Sequence, residues 1–194
     1  SGPSLMEKIR NRVIEPTLRG LREEGIPYCG VLYAGLMIGP DGEPRVIEYN
    51  VRFGDPEAQA VIPLLEGDFG RLLTACCEGR LSEVPWKDSG RWAANVVLAS
   101  GGYPGPFEKG MAITGLEEIP SDGDLLVFHG GTALDSQGRP VTAGGRVLSA
   151  VGLGDTLEEA IAGAYGGASR ISFKNMHYRK DIGRKAFMKR SDGK

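Results

Sequence analysis

The alternation of apolar and polar residues divides the chain into helical and strand-like segments. In the segment "SLMEKIRNRVIEPTLRGLREEG", apolar residues recur at helical spacing after Ser4, which is placed to cap the helix, and the pattern stops at Gly25. Pro16 lies inside the segment and is expected to break or kink the helix, because proline has no backbone N–H donor. The pattern therefore predicts an interrupted N-terminal helix.

Two strand-like runs follow this helix. They read "PYCGVLYAGLMIG" and "EPRVIEYNVRF" and are joined by "PDG", a turn signal whose Gly42 can adopt a positive φ. Because side chains alternate along a strand, Glu48, Asn50 and Arg52 are expected on one face of the second run. The pattern predicts a β-hairpin with a row of polar groups on one face.

Two short helices are predicted after the hairpin. Asp55 in "GDPEAQ" is placed to cap the first, with Pro56 at the first helical position and Pro63 disturbing its end. The second begins after Asp68, a suitable N-cap residue, and closes near Gly79. These signals place Asp55 at a helix N-terminus.

The pattern changes after "SEVPWKDSGR", a polar stretch rich in residues that interrupt regular structure. Beyond it, short apolar runs are separated by Gly, Pro and Asp, which is typical of a small β-rich domain. One helix interrupts these runs, with a start that resembles a capping box at Asp155 and Glu158. We predict an α+β chain with two domains, at residues 1–88 and 89–194.

Composition removes several classes of function. The formal net charge is −2, so the chain has no global field to attract nucleic acid or an anionic membrane, and we expect neither as a partner. No apolar run approaches the roughly 20 residues that span a bilayer, and the first residues lack the apolar core of a signal peptide, so we expect a cytoplasmic protein. Two histidines and three cysteines make a multi-histidine metal site improbable, and we interpret the cysteines as reduced core thiols.

The polar row of the second strand carries the candidate chemistry. A carboxylate and an amide oxygen, as on Glu48 and Asn50, are the hard ligands that Mg²⁺ takes alongside water and nucleotide phosphates. The guanidinium of Arg52 can grip a phosphate and stabilise charge that develops on it. Together they are consistent with a Mg-nucleotide site for phosphoryl transfer.

A plainer interpretation stays open for the same row. Polar residues alternate with apolar ones in any half-solvated antiparallel strand, and spacing alone favours this view modestly. The functional view gains weight because Asn is depleted in strands and because the row leads into a Gly-Asp-Pro turn at a predicted helix start.

A resemblance to a known family rests on five ordered blocks of sequence. They read "GVLYAGLMIGPDGEPRVIEYNVRFGDPEAQAVIPLLEGD", "LASGGYPGPFEKGMAITGLEEI", "VFHGGTAL", "VTAGGRVLSAVGLG" and "HYRKDIGRKAF". In this order they resemble glycinamide ribonucleotide synthetase, the ATP-grasp ligase of purine biosynthesis, across nearly the whole chain.

The resemblance implies an ATP-dependent ligase that joins glycine to 5-phosphoribosylamine through a glycyl phosphate and releases ADP and phosphate. It implies that Glu48 and Asn50 bind Mg²⁺ or Mn²⁺, that Arg52 contacts transferring phosphate or substrate, and that Gly54 and Asp55 lie close to the reacting substrates. Asp55 would orient the amine of one of them. ATP, glycine and 5-phosphoribosylamine are thus the expected small-molecule partners.

The resemblance also implies the architecture and two departures from it. The expected fold is the C-terminal part of an ATP-grasp domain, an antiparallel sheet with helices, followed by a barrel-like domain of the rudiment single hybrid type. Many ATP-grasp enzymes carry a second acidic ligand on the paired strand, where this chain reads "AGLMI". The family also begins with an N-terminal half that would be a further partner, so we expect the isolated chain to be inactive. The oligomeric state is open, with a monomer as the expectation.

Two later motifs are interpreted mainly as structural. The "YRKDIGRK" cluster could recognise a ribose phosphate, but an ion pair between Arg179 and Asp181 that fixes the tail is the favoured interpretation. His129 is expected to be a hydrogen-bonded structural residue. Two alternatives for the whole chain stay open: a different ATP-grasp carboxylate-amine ligase, and a non-catalytic binding module whose polar strand is merely solvated.

Overall fold

The computed structural model describes residues 3–120 and 123–188. Its contacts divide the chain into two compact units. The first unit comprises the residues up to Gly54 together with Gly67–Trp86, and the second comprises Asp55–Glu66 with the residues from Lys87 onward. The units are discontinuous in sequence, and the predicted domain boundary between residues 88 and 89 stays a prediction.

The first unit contains three helices and one hairpin. They are α1 (Pro3–Ile9), α2 (Glu15–Glu23), β1 (Tyr33–Ile38), β2 (Pro44–Asn50) and α4 (Phe69–Cys77). Strands β1 and β2 pair antiparallel, as the turn signal predicts, and Gly42 in the connecting turn has φ +72°. Glu43 anchors the helical segment to this turn, because it forms ion pairs with Lys8 and Arg12.

Pro16 changes the winding of the N-terminal helix without ending it. A π-helical turn, Arg10–Ile14, joins α1 to α2, and Pro16 lies in the first turn of α2. The interruption that Pro16 predicts is therefore present, as a change from α- to π-helical winding before the proline and not as a break in the chain of helical turns. Ser4 lies inside α1, which begins at Pro3, and is therefore not its cap.

The second unit contains one three-stranded sheet, two strand pairs and three helices. The elements are α3 (Ala58–Val61), β3 (Leu65–Glu66), β4 (Lys87–Asp88), β5 (Trp92–Ala99), β6 (Leu125–His129), β7 (Thr132–Leu134), β8 (Pro140–Thr142), β9 (Arg146–Gly154), α5 (Leu157–Arg170) and α6 (Arg184–Met188). The sheet is antiparallel with the order β5-β9-β6, and β3 pairs with β4 and β7 with β8. Across residues 3–120 and 123–188 no sheet closes on itself, so the expected barrel is not confirmed.

Helix α5 packs on β9 and β5 through small residues. Ala160, Ala164 and Ala168 are spaced four apart and are fully buried in the core cluster of the unit. A Cβ on Gly152 in β9 would overlap main-chain atoms of Ala160 and Ala164. Small side chains on both surfaces therefore let the helix backbone approach the sheet closely.

The start of α5 lies one residue later than predicted. Thr156 accepts a hydrogen bond from the Glu159 N–H, and Glu159 accepts one from the Thr156 N–H, which is a capping box. Asp155 and Glu158 do not form it. The prediction of the helix itself is confirmed.

No helix within the described ranges is both long and apolar enough to cross a membrane.

Candidate functional site

Strand β2 brings Glu48 and Asn50 together on one face, as predicted. The Asn50 amide Nδ2 donates a hydrogen bond of 3.1 Å to Oε1 of Glu48. Within residues 3–120 and 123–188, neither Oε2 of Glu48 nor Oδ1 of Asn50 has a hydrogen-bond partner. The strand therefore presents one carboxylate oxygen and one amide oxygen side by side.

Gly35 lies directly opposite Glu48 in the hairpin. A Cβ at this position would lie 3.0 Å from Cγ of Glu48, and a β-bulge follows between Gly35 and Leu36. Glycine thus leaves room for the Glu48 side chain above β1. It also explains why the paired strand supplies no second carboxylate at this register.

The donor set suits a hard cation with few protein ligands. Mg²⁺ keeps several waters and is commonly held by one or two protein oxygens plus substrate phosphates. No cluster of three or more His, Cys, Asp or Glu side chains suited to a metal ion occurs within the described part of the chain. Any metal held by Glu48 and Asn50 would therefore take its remaining ligands from water or from a bound nucleotide.

Arg52 does not continue the row on β2. The strand ends at Asn50, and Arg52 lies in a bend, where its Nη1 donates to the main-chain oxygen of Phe53 at 3.1 Å. The rings of Phe53 and Phe69 lie 5.9 Å apart, which fixes this stretch of chain against α4. The expectation that Arg52 shares the strand face is wrong, because the regular strand ends two residues before it.

Asp55 belongs to the second unit, whereas Gly54 is a buried residue of the first. Asp55 does not cap α3: residues 55–57 form a turn, and the helix begins at Ala58. Pro56 is therefore not its first residue. Pro63 has the predicted effect, because the helix narrows to a 3₁₀ turn, Ile62–Leu64, around it.

One side chain near in sequence and one far along the chain hold the Asp55 carboxylate. Gln59 Nε2 donates to Oδ1 at 3.1 Å, and Arg146 Nη2 donates to Oδ2 at 3.1 Å. Arg146 Nη1 also donates to the main-chain oxygen of Asp55 at 2.8 Å. Each carboxylate oxygen is thus tied to a different neighbour.

A pocket of about 260 Å³ lies beside this group, within the second unit. Asp55, Gln59 and Arg146 line it together with Ser149 and the glycines at 130–131. The Oε1 atom of Gln59 is buried and has no hydrogen-bond partner within the described residues. Because that oxygen is closed to solvent, the acceptor that the pocket offers to a hydrogen-bond donor such as an amine is the exposed carboxylate of Asp55.

Sequence reasoning missed Arg146 and Gln59. Gln59 follows Asp55 by four residues, a helical spacing that could have suggested the contact. Arg146 is 91 residues away from Asp55, and no periodicity links the two. Its only signal is its position, a charged residue at the start of the strongly apolar strand β9.

The C-terminal motif has the predicted ion pair. Arg179 donates to both carboxylate oxygens of Asp181, at 2.9 and 2.8 Å, and the Arg179 guanidinium lowers the pKa of Asp181. The Tyr165 hydroxyl donates to the main-chain oxygen of Arg179 and accepts from the Ile182 N–H, which ties the motif to α5. His129 is hydrogen-bonded through Nδ1 to the Thr132 hydroxyl at 3.0 Å, as expected for a structural residue.

Comparisons with known proteins identify two consecutive domains of one family. Residues 1–58 match the model for "Phosphoribosylglycinamide synthetase, ATP-grasp (A) domain", and residues 93–185 match that for "Phosphoribosylglycinamide synthetase, C domain". The phosphoribosylamine-glycine ligase of Synechocystis sp. is 48% identical over 185 residues, which cover 95% of this chain and 44% of that protein. The bifunctional purine biosynthetic protein PUR2,5 of Pichia angusta is 46% identical over 193 residues, 99% of this chain and 24% of that protein.

A solved structure agrees with these matches. The crystal structure of phosphoribosylamine-glycine ligase from Thermotoga maritima superposes with a TM-score of 0.80 and is 40% identical, over 93% of this chain and 44% of that one. The mixed helical and antiparallel fold is therefore shared with a ligase of known structure. The chain spans less than half the length of these relatives. By both domain matches, the chain belongs to the phosphoribosylglycinamide synthetase family.

Proposed function

We propose that this chain forms part of an ATP-dependent ligase that joins glycine to 5-phosphoribosylamine. The products would be glycinamide ribonucleotide, ADP and phosphate, with a glycyl phosphate as the intermediate. The matches to both domains of the family and the names of the relatives support the reaction class. The observation in the molecule that carries the proposal is the adjacent pair of unpartnered oxygens on Glu48 and Asn50.

Glu48 and Asn50 would hold the Mg²⁺ or Mn²⁺ ion of the nucleotide. The Asn50 amide donates to Glu48, so it orients the carboxylate while its own oxygen remains available as a ligand. Held by these two side chains, the ion would supply positive charge beside the phosphates of the nucleotide during phosphoryl transfer. The two side chains fix where that ion would bind relative to β2.

Arg52 and Gly54 would contact the phosphates. One guanidinium N–H of Arg52 is occupied by the Phe53 main chain, and the exposed remainder of its donor fork can bind a phosphate oxygen. Gly54 has no side chain that would obstruct a ligand near this turn. Arg52 would thus stabilise negative charge on the transferring group.

Asp55 would orient a substrate amine in the second unit. Its carboxylate is held on both oxygens by Gln59 and Arg146 and still remains exposed at the pocket. Acceptors fixed in this way suit the amine of phosphoribosylamine or the ammonium group of glycine. The Arg146 guanidinium would keep the carboxylate from turning away.

A chimeric enzyme tests the proposal. In it, this chain replaces the matched segment of the Synechocystis ligase, and phosphate release is measured with ATP, glycine and phosphoribosylamine. We expect release that requires both substrates and is lost in the Glu48→Gln variant. A folded chimera with the melting temperature of the parent ligase but without substrate-dependent release would refute the proposal. Replacing glycine with other small amino acids separates this ligase from other ATP-grasp carboxylate-amine ligases.

The cytoplasmic location predicted from the sequence stays a prediction. So does the monomeric state.

A further inference from the structure

The three cysteines meet at one place in the first unit. Cys29 lies in the loop before β1, and Cys76 and Cys77 are the last two residues of α4. All three are free thiols, but Cys29 and Cys77 are exposed and Cys76 is half-buried. The sequence-based interpretation of them as core residues is therefore wrong.

The Cys29 thiol is in direct contact with Cys76. Its Sγ lies 2.8 Å from the Cys76 main-chain oxygen, which brings the Cys29 side chain against the last turn of α4. The same carbonyl oxygen accepts from the Gly79 N–H at 3.1 Å, and a carbonyl oxygen has two lone pairs, so it can accept from the thiol as well. Two thiols from segments far apart in the chain are thus held together by the fold.

Cys77 is a neighbour of this pair with a different orientation. Consecutive helical residues do not face the same side, so Cys76 and Cys77 project from α4 in different directions. A bond between adjacent helical cysteines would also require the helix to distort. Of the three possible pairs, Cys29 and Cys76 are the one joined by a hydrogen bond, from the Cys29 thiol to the Cys76 main-chain oxygen.

We propose that Cys29 and Cys76 form a redox-modification site, at which a hydroperoxide converts the two thiols into an intramolecular disulfide that a thiol reductant reopens. None of the residues assigned to the ligase reaction is part of this site. The proposal therefore stands independently of the proposed function.

The oxidation proceeds in two balanced steps. The sulfur of Cys29, as a thiolate, attacks one peroxide oxygen, the O–O bond breaks, and the departing oxygen takes up a proton, which leaves a sulfenic acid. The sulfur of Cys76 then attacks the sulfenic sulfur, the S–O bond breaks, and that oxygen leaves as water. With hydrogen peroxide as oxidant, the two thiols lose two electrons in total and the peroxide becomes two waters.

The surroundings of Cys29 set the pH at which the first step is fast. Partial desolvation, the hydrogen bond to Cys76, and the nearby thiols of Cys76 and Cys77 all raise the pKa of Cys29. The thiolate is therefore scarcer at neutral pH than in a free cysteine. Disulfide formation should accelerate as the pH rises from 7 to 9.

The bond would enclose the whole β1–β2 hairpin in a covalent ring. Glu48 and Asn50 lie inside that ring, between Cys29 and Cys76 in sequence. A crosslink that closes a long loop restricts the unfolded chain most strongly. Oxidation would thus tie the loop before β1 to the end of α4.

Peptide mapping of the whole chain tests the site. The reduced protein is treated with hydrogen peroxide, the remaining thiols are alkylated, and the sample is digested with trypsin without reduction. We expect a crosslinked peptide that joins residues 23–45 to residues 72–80 and disappears after treatment with dithiothreitol. Fragment ions should assign the bond to Cys76, with Cys77 alkylated.

Single substitutions distinguish the two neighbouring cysteines. Cys77→Ser is the matched control and should retain the crosslink at the parent rate, whereas Cys76→Ser and Cys29→Ser should lose it. The result in Cys77→Ser decides the question even where the other variants fold poorly. A bond to Cys77, crosslinks only between chains, or sulfinic acid in place of a disulfide would overturn the proposal.

Discussion

Arg146 donates two hydrogen bonds to Asp55, one to its main-chain oxygen at 2.8 Å and one to its carboxylate Oδ2 at 3.1 Å. The contact joins the first residue of β9 to the turn that precedes α3, across 91 positions of sequence. Both side chains are partly exposed, so the pair adds little to stability, and its evident effect is to fix the direction of the carboxylate.

Replacing Arg146 should show that this residue orients the Asp55 carboxylate and contributes little to the free energy of unfolding. In the chimeric ligase, Arg146→Ala is expected to slow phosphate release roughly tenfold to a hundredfold, because a displaced Asp55 no longer orients the amine. The free energy of unfolding should fall by less than about 1 kcal/mol, as for other exposed ion pairs. Kinetics and urea unfolding on the same samples measure both.

A second arginine provides the control for that experiment. Arg139, which is exposed, pairs with the half-buried Asp135 in the turn between β7 and β8. Arg139→Ala should have a similar small effect on unfolding and leave phosphate release unchanged. Equal losses of activity in both variants would show that Arg146 has no special role at Asp55.

Glu48→Gln should weaken metal binding without disturbing β2. The substitution keeps the shape of the side chain and an oxygen that can accept from Asn50, but it removes the negative charge that attracts a divalent ion. We expect the Mn²⁺ dissociation constant of the ATP-bound chimera to rise by about tenfold or more. Electron paramagnetic resonance of free Mn²⁺ measures the change.

An exposed glutamate on α1 serves as the comparison for Glu48. Glu7→Gln removes the same charge from the same unit, at an exposed position on α1 and not on β2. Its Mn²⁺ affinity should equal that of the parent. If Glu48→Gln binds Mn²⁺ as tightly as Glu7→Gln does, the polar strand is solvated and does not hold the metal.

The sequence predicted the part of the site that local periodicity controls. A period of two places Glu48 and Asn50 on one face of a strand, and the hydrogen bond between them confirms this. Periodicity could not show that the strand ends at Asn50, where residues 51 and 52 bend and the ring of Phe53 packs near that of Phe69 in α4. Arg52 therefore left the row.

The contacts of Asp55 could not be predicted for a different reason. A Gly-Asp-Pro turn before an apolar run reads as a helix cap, yet the carboxylate bonds to Gln59 and Arg146 instead. Local rules describe which partner an aspartate finds nearby in sequence. They do not describe which charged residue the sheet brings from far along the chain.

The burial of the cysteines could not be predicted from local sequence either. Cysteine is among the most buried residue types, which is why a core position was expected. Cys29 and Cys77 instead lie on the surface, at a loop and at a helix end. Helix α5 was easier to predict, because its apolar spacing is local, although its capping box lies one residue later than expected.

The contact between α5 and β9 predicts opposite effects for two glycines. Gly152→Ala would place a methyl group against the backbone of Ala160 and Ala164, and should destabilise the chain by about 1 to 3 kcal/mol or more. Gly166 lies within α5, is exposed, and has no atom within 4 Å of an added Cβ. Gly166→Ala should therefore stabilise by about 0.5 to 1 kcal/mol, because alanine favours helix.

Urea unfolding of the two glycine variants measures the predicted loss of stability in one and the predicted gain in the other. The midpoint should fall for Gly152→Ala and rise for Gly166→Ala relative to the parent. An unchanged midpoint for Gly152→Ala would mean that α5 does not pack on the sheet as closely as described.

The turn between β1 and β2 should show a pH dependence that Arg45 controls. The side-chain hydrogen bond from Arg45 and the Glu43 N–H lower the pKa of Asp41 to about 2. Because this value is below that of the unfolded chain, about 3.9, the pair adds stability that is fully present above pH 4 and is lost as the pH falls toward 2. Arg45→Ala should return the pKa toward 3.8 and remove most of that dependence. Titration of the Asp41 carboxyl carbon by NMR measures the shift, with Arg19→Ala as a control that leaves it near 2, and an ordinary pKa for Asp41 in the parent chain would contradict the pairing.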